Sequence, residues 1–375
     1  MNQTKEIIII GGGLAGLTAA IHLASHKFKV VLIEKNEYPT HKVCGEYISN
    51  EILPYWRSLG ITIDNLKPTT LKTIEITTQK GKRLQSKLPL GGFGVSRYYL
   101  DQHLYILAKT KGIHVLQDQV VNVLYHQNKF SVETKDNGTV LSNFVIGAFG
   151  KRSGLDKTLQ RSFMLNSSPW LAVKAHYAGK FPEDLVALHN FEGGYCGISK
   201  VEDNTINVCY LAHYDSFKKY KNINDFQNKV LCANPHLNNF FLQATCLFDK
   251  PLSISQINFE RKSLIHNHMF MLGDAAGMIH PLCGNGMAMA IQSAQLLCQT
   301  LIENTTYNTF DRSAIESSYK RAWKKQFSNR LAMGSLLQSV VLNPYLQRLG
   351  YYLGNSFPST LTKIIKQTHG KPIEC

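Results

Sequence analysis

Two carboxylates far apart in the chain stand where apolar runs give way to turns. Glu34 closes the run Val30–Ile33, and Asp274 follows Met269–Leu272 and Gly273. An acid at the end of a buried strand is placed to accept hydrogen bonds from sugar or sugar-alcohol hydroxyls. Between them lies "HKVCGEYIS", where Cys44 and Glu46 offer a thiol and a carboxyl one glycine apart. Burial there would raise the Glu46 pKa and suit it to moving a proton near neutral pH. His280, just ahead of Pro281, is a second candidate proton carrier. Tyr195 and Cys196, in "GGYCGISKV", are candidates for touching a substrate, Tyr195 through its hydroxyl.

The elements that must hold these groups are written in the pattern around them. "EIIIIGGGLAGLTAAIHLASHKFKVVLIEKN" reads as strand, turn, helix, strand. The continuous run Ile7–Ile10 is that of a parallel strand buried on both faces. Gly11, Gly13 and Gly16 have the G-x-G-x-x-G spacing, for a tight turn, a close approach of backbone to a diphosphate, and a helix packed close on its strand. The helix, from Leu14 to about Ser25, aims its first N–H groups, Leu14 and Ala15 among them, at that diphosphate. Glu34 follows Gly16 by 18 residues, close to the spacing of the acid that binds a ribose, and Lys35 comes next. A carboxylate there repels a 2′-phosphate.

The late stretch decides which dinucleotide. Met269–Leu272 reads as a strand and "GNGMAMAIQSAQLLCQTLIEN" as a helix. A nicotinamide dinucleotide needs no second distant acid. FAD carries a ribityl chain whose hydroxyls suit Asp274, and a helix N-terminus beyond it can stabilise charge on the reduced ring. Gly273, Pro281, Gly284, Asn285, Gly286 and Met287 form the candidate wall at that end, and Val121 and Gly147 complete the candidate cofactor contacts.

Four blocks in order, "GGGLAG", "KVCGEYIS", "VSRYYLDQHL" and "GDAAGMIHPLCGNGM", resemble the flavoprotein superfamily of aromatic-ring hydroxylases (para-hydroxybenzoate hydroxylase type) and geranylgeranyl reductases. The resemblance spans about residues 5 to 303 and leaves out the tail. It implies a mixed α/β fold: a glutathione-reductase-type, Rossmann FAD-binding domain interleaved with a β-sheet substrate domain, and a helical C-terminal tail. It implies that Arg97 contacts the cofactor, that Cys44 and Gly45 lie beside the isoalloxazine ring, and that Pro281 to Met287 wrap its pyrimidine side.

The sequence departs from that pattern at two places. In "VIGAFGKRSGLD", Phe149 stands where the family has an acid tied to FAD and reduced nicotinamide, so the use of NADPH or NADH as external reductant loses one hydrogen-bond acceptor. The reductases carry Y-x-W-x-F-P where this chain has "GGYCGISKV", with Cys196 and Gly197 near the place of the bulky aromatic. That absence favours a monooxygenase acting on a large apolar aromatic or polyene metabolite over an isoprenoid double-bond reductase. A flavin-binding membrane adaptor without turnover is the reading from outside enzymology.

The remaining features set bounds. The chain has 375 residues, enough for two lobes, and eight cysteines with no C-x-x-C pair, so neither a zinc site nor a dithiol redox motif is expected. The reading assigns residues 1–70, 92–158 and 262–310 to the FAD domain, 71–91 and 159–261 to the substrate domain, and 311–375 to a basic helical region. Ser313 and Glu316 suggest a capping box for that region, and Pro344 and Pro358 divide it. Net charge is +15, and the stretch from Tyr319 onward holds nine Lys/Arg against one acid, Glu374. Basic residues interleaved with Leu and Tyr suit the surface of an anionic membrane, whereas no nucleic-acid motif accompanies the charge. With no run of about 20 apolar residues, the expected location is cytoplasmic, peripheral at the inner face of the membrane.

Overall fold

The computed structural model describes residues 6–220, 222–305, 310–356 and 358–374. Cys375, counted among the eight cysteines, and the first five residues lie outside the described residues.

The apolar run Glu6–Ile10 is the centre of a six-stranded sheet, flanked by Lys29–Glu34 and Phe144–Gly147 in parallel. Ile7, Ile8 and Ile9 are all buried, as a strand covered on both faces requires. Met269–Met271 continues the sheet beyond Phe144–Gly147. Register determines what meets at the carboxyl edge. Ile10 pairs with Ile33 and with Gly147, and Gly147 pairs with Met271. Gly11, Glu34, Ala148 and Gly273-Asp274 therefore leave the sheet at one edge, where open α/β sheets bind ligands. Gly11 adopts φ +106, and a Cβ on Gly16 would fall 1.9 Å from the Gly11 carbonyl oxygen. The tight turn and the close helix Leu14–Ser25 both need glycine there.

The second lobe is a nine-stranded sheet built mainly from Thr69–Thr77, Arg83–Gly94, Trp170–Ala178, Leu185–Phe191, Gly194–Lys200 and Ile206–His213. Strand alternation gives it two different faces. Val173, Tyr177, Cys196, Ile198, Val208 and Tyr210 pack against Phe226, Leu231, Leu237 and Phe240 from the helices within 214–243. The opposite face carries Trp170, Ala172, Tyr195 and Leu211 toward Tyr47 and Met278 of the first lobe. The outer helical layer was not anticipated by the sequence, whose strand signals dominate that region. Residues 120–142 form a separate three-stranded meander, with Gly138 at φ +75 in the Asp136-Asn137-Gly138 turn.

The tail is three helices, Arg312–Leu342, Pro344–Ser356 and Pro358–Thr368, divided at the two prolines. Its first helix belongs to the core: Ile315, Tyr319 and Phe327 are fully buried, and the Tyr319 hydroxyl donates to the Met271 carbonyl at 2.7 Å. The capping box does not form. Asp311 caps the helix by accepting from Ala314 N–H at 3.1 Å, and Glu316 instead meets His268 Nδ1 at 2.7 Å. Among the described residues no helix is long and apolar enough to cross a membrane.

Candidate active site

The glycine loop ends in a helix whose N-cap, Gly13, brings no side chain to cap it. The helix Gly286–Asn304 likewise begins without a side-chain cap, although Asn285 stands at its N-cap. By contrast, Ser96 and Asp311 cap the helices that start at Arg97 and Arg312. Helix N–H groups left open at the carboxyl edge of a sheet are anion sites. A Cβ on Gly13 would meet only the Arg97 guanidinium, at 3.6 Å, so this backbone stays open to a ligand. Arg97 Nε and Nη2 each donate to Asp101 at 2.7 Å, which orients the guanidinium beside the loop.

Glu34 ends its strand buried beside the glycine loop. One of its oxygens accepts from Gly12 N–H at 2.6 Å, and the other accepts from the backbone and side chain of Asn36. Lys35 is exposed, and Val121 lies just beyond Asp118, whose N–H bonds the Glu34 carbonyl at 3.0 Å. At the other end, the Asp274 carboxylate is half-buried and takes no hydrogen bond from the described residues. It borders a cleft shared with Gly273, Gly286 and Ser293. Lys262 fastens its backbone, donating to the carbonyls of Asp274 (2.9 Å) and Lys151 (2.8 Å). Burial pulls the Lys262 ammonium down to about 8, against the pull of Asp274. Two open helix ends, an arginine beside an open glycine and two strand-end acids fit an extended FAD, and these residues would hold it.

The segment expected beside the flavin ring is pinned from three sides. Cys44 Sγ contacts Met287 Sδ at 3.5 Å, Asn207 Nδ2 donates to the Cys44 carbonyl at 3.3 Å, and Lys151 Nζ donates to the Val43 carbonyl at 3.1 Å. Gly45 has open space around its Cα, with nothing within 4 Å of an added Cβ. Glu46 sits at φ 54 and sends a fully buried carboxylate into the second lobe. There it accepts from Lys174 Nζ (2.5 Å), His176 Nε2 (2.8 Å) and Arg97 N–H (2.8 Å). The expectation of a raised pKa at Glu46 is overturned. Burial alone would push the carboxyl up, but the His176 hydrogen bond and the Lys174 ammonium outweigh it and hold the carboxyl below its ordinary range.

Other expected positions divide as strand alternation dictates. Tyr195 faces inward, with its ring 6.0 Å from that of His280. Cys196 faces outward into the helical layer, where burial pushes its thiol well above the ordinary value, so it is not a substrate contact. His280 is enclosed by Trp170, Tyr195 and Phe259, at ring separations of 5.9, 6.0 and 5.0 Å. Its Nδ1 accepts from Leu282 N–H at 3.4 Å, and its Nε2 is buried without a hydrogen-bond partner. Burial pulls the imidazole down to about 4, so it is neutral at pH 7. Pro281–Cys283 form a single turn that ends in Gly284 at φ +63, against the Tyr47 ring. The Asn285 side chain turns away from this loop, donating to Glu51 Oε1 at 2.6 Å and accepting from Arg330. Any contact of Asn285 with the cofactor is therefore through backbone.

Lys174, His176, Asn207 and Lys262 were missed by sequence reasoning. Lys174 and His176 carried a signal: two polar residues two apart in "WLAVKAHYAG", a strand buried on both faces, need partners across it. A cavity of about 960 Å³ lies between the helix Gly286–Asn304, the first tail helix and the C-terminal segment. Its walls include Tyr47, Leu90, Gln292, Arg330 and Ile365 but none of the glycine loop, Glu34 or Asp274.

A carboxyl-edge dinucleotide cleft roofed by a second-lobe sheet defines a two-lobed flavoprotein oxidoreductase. The chain belongs to the FAD binding domain family, which matches residues 4–317. Among relatives, it is 22% identical to a tryptophan 2-halogenase of Chondromyces crocatus, over 87% of this chain and 66% of the halogenase. It is also 22% identical to a digeranylgeranylglycerophospholipid reductase of Thermoplasma volcanium, over 88% of this chain and 85% of the reductase. The flavin-dependent brominase Bmp2 shares the fold with a TM-score of 0.81 at 18% identity, covering 100% of this chain and 95% of the brominase. A geranylgeranyl bacteriochlorophyll reductase-like protein of Thermoplasma acidophilum gives 0.75 at 19%, covering 98% and 92%. The shared fold thus includes the tail, which the sequence resemblance had left out. The protein is an FAD-dependent oxidoreductase.

Proposed function

We propose that the protein is a flavin monooxygenase acting on a large, mostly apolar aromatic or polyene compound. His280 carries this reading: a neutral imidazole with an open Nε2, boxed by Trp170, Tyr195 and Phe259 beside the flavin loop. With Nδ1 accepting from Leu282 N–H, Nε2 carries the ring proton, and it donates a hydrogen bond to a phenolic or enolic oxygen and so orients the substrate. Bound FAD, reduced by NADPH or NADH, supplies the two electrons with which dioxygen gives one atom to the substrate and the other to water. The aromatic box stacks on a flat substrate and excludes water from the reacting face. Glu46, held as an anion, fixes the Cys44–Gly45 turn and offers no proton to carbon.

A second reading, saturation of an isoprenoid double bond, is favoured by Cys209. Burial pushes its thiol up to about 12, so it stays protonated beside Cys44 and could supply the proton such a reduction needs. The test is turnover of candidate phenolic and polyene compounds with reductant and isotopically labelled dioxygen. Label in the product supports the monooxygenase. A gain of two hydrogens without label, persisting anaerobically, replaces it with the reductase. Bromine in the product when bromide is supplied replaces it with halide oxidation.

A further inference from the structure

Two stretches remote in sequence meet as one basic surface. Residues 78–90 hold Lys80, Lys82, Arg83 and Lys87, and residues 343–371 hold Arg348, Lys363, Lys366 and Lys371; neither stretch contains Asp or Glu. They are in contact. The hydroxyls of Ser86 and Thr362 lie 2.9 Å apart, and Lys82 Nζ lies 5.5 Å from the centre of the Tyr351 ring. A Cβ on Gly354 would come 2.8 Å from the Leu84 side chain.

Those contacts fix the direction in which the helix Pro344–Ser356 faces. At roughly 100° per residue, Tyr351 and Gly354 share the side lying on the hairpin. Tyr345, Leu346, Tyr352 and Leu353 repeat at a spacing of seven on the opposite side. They are 80%, 39%, 68% and 42% exposed. A helix that turns two tyrosines and two leucines to solvent amid seven of these cations and an Arg83 paired with Glu75 at 3.7 Å is built for an interface. A second copy of the chain is a poor occupant, because pairing would set like charge against like charge.

We propose that this face docks on a bilayer carrying anionic phospholipid. The Tyr and Leu side chains enter the headgroup boundary, where aromatic rings with a polar tip are stable. The surrounding Lys and Arg pair with lipid phosphates. The next helix supplies Ile365 and Lys366 to the wall of the large cavity, so that cavity borders the docked side. The proposal does not depend on which flavin reaction the protein performs.

The experiment is flotation of the full-length, flavin-loaded protein with vesicles of phosphatidylcholine alone, and with about 30% phosphatidylglycerol added to supply surface charge. Wild type floats with the anionic vesicles, and less as salt is raised. Two variants touch only this face: Tyr345→Ser/Leu346→Ser/Tyr352→Ser/Leu353→Ser, and Lys80→Gln/Lys82→Gln/Lys87→Gln. Each keeps its flavin and loses about tenfold or more in vesicle affinity. Wild type that stays with the unbound fraction, floats equally on neutral vesicles, or is matched by both variants overturns the proposal. So does a dimer on gel filtration that the first variant dissolves, which would assign the face to a second copy.

Discussion

Glu46 and Asp274 are both carboxylates beside the flavin site, and the fold treats them in opposite ways. Glu46 is fully buried and receives hydrogen bonds from Lys174, His176 and the Arg97 N–H. Asp274 is half-buried, its backbone is clamped by Lys262, and its carboxylate takes no hydrogen bond from the described residues. The same contrast runs through the helix ends, capped at Arg97 and open at Leu14 and Gly286. Polar groups that a fold saturates belong to its architecture, because an unpaired buried charge is costly. Groups it orients but leaves open face a ligand, and Glu34, which accepts from Gly12 and Asn36, stands between the two cases by shaping the glycine loop itself.

Breaking the saturated side has the largest effect. Glu46→Gln leaves the Lys174 ammonium buried without its counter-charge and lowers stability by about 3–5 kcal/mol, read by denaturant unfolding. Adding Lys174→Met recovers much of that loss, since removing both partners is far less damaging than removing one. A single variant as stable as wild type would take Glu46 out of the architecture. On the open side, Asp274→Ala purifies nearly colourless, while the stability of the flavin-free protein shifts by about 0.5 kcal/mol or less. Full flavin occupancy in that variant would remove Asp274 from the cofactor site. His280→Phe keeps fold and colour and, by removing the donor that orients the substrate, lowers turnover of a phenolic substrate by about a hundredfold. Unchanged turnover would return His280 to packing.

What the sequence made legible follows from local rules. A continuous apolar strand, a glycine turn and an acid at the right distance are all set within about thirty residues, and the register of one parallel sheet then brings Asp274 to the same edge. What it hid depends on contacts across the lobes. Glu46 looked like an acid awaiting a proton, because its partners Lys174 and His176 come about 130 residues later, on another sheet. Tyr195 and Cys196 looked alike, yet adjacent strand residues face opposite ways. Asn285 sat in the right loop, but Glu51 and Arg330 claim its side chain. The tail looked appended because its charges mask a helix whose Tyr319 and Phe327 are buried in the core.

Acid separates the two kinds of site more gently. His22, His280 and His369 are each drawn by burial to about 4, and His189 to about 3. The unfolded chain takes up these protons near pH 6.5, whereas the folded protein refuses them until well below pH 5. Between those limits the unfolded state binds more protons, so stability falls as pH drops. Glu46 adds a second, more acidic phase. Its folded pKa lies below the ordinary value of 4.5, so its contribution is present above that pH and is lost as pH falls through the folded value. Thermal midpoints measured from pH 7 down to about 2 should therefore decline in two stages. His280→Phe makes the first stage shallower, and Glu46→Gln, already weak at pH 7, lacks the second. Asp274→Ala follows the wild-type flavin-free curve throughout. A wild-type midpoint that stays flat to about pH 5 would mean that burial does not hold these histidines neutral, His280 among them, and the neutral Nε2–H donor assigned to it would be lost.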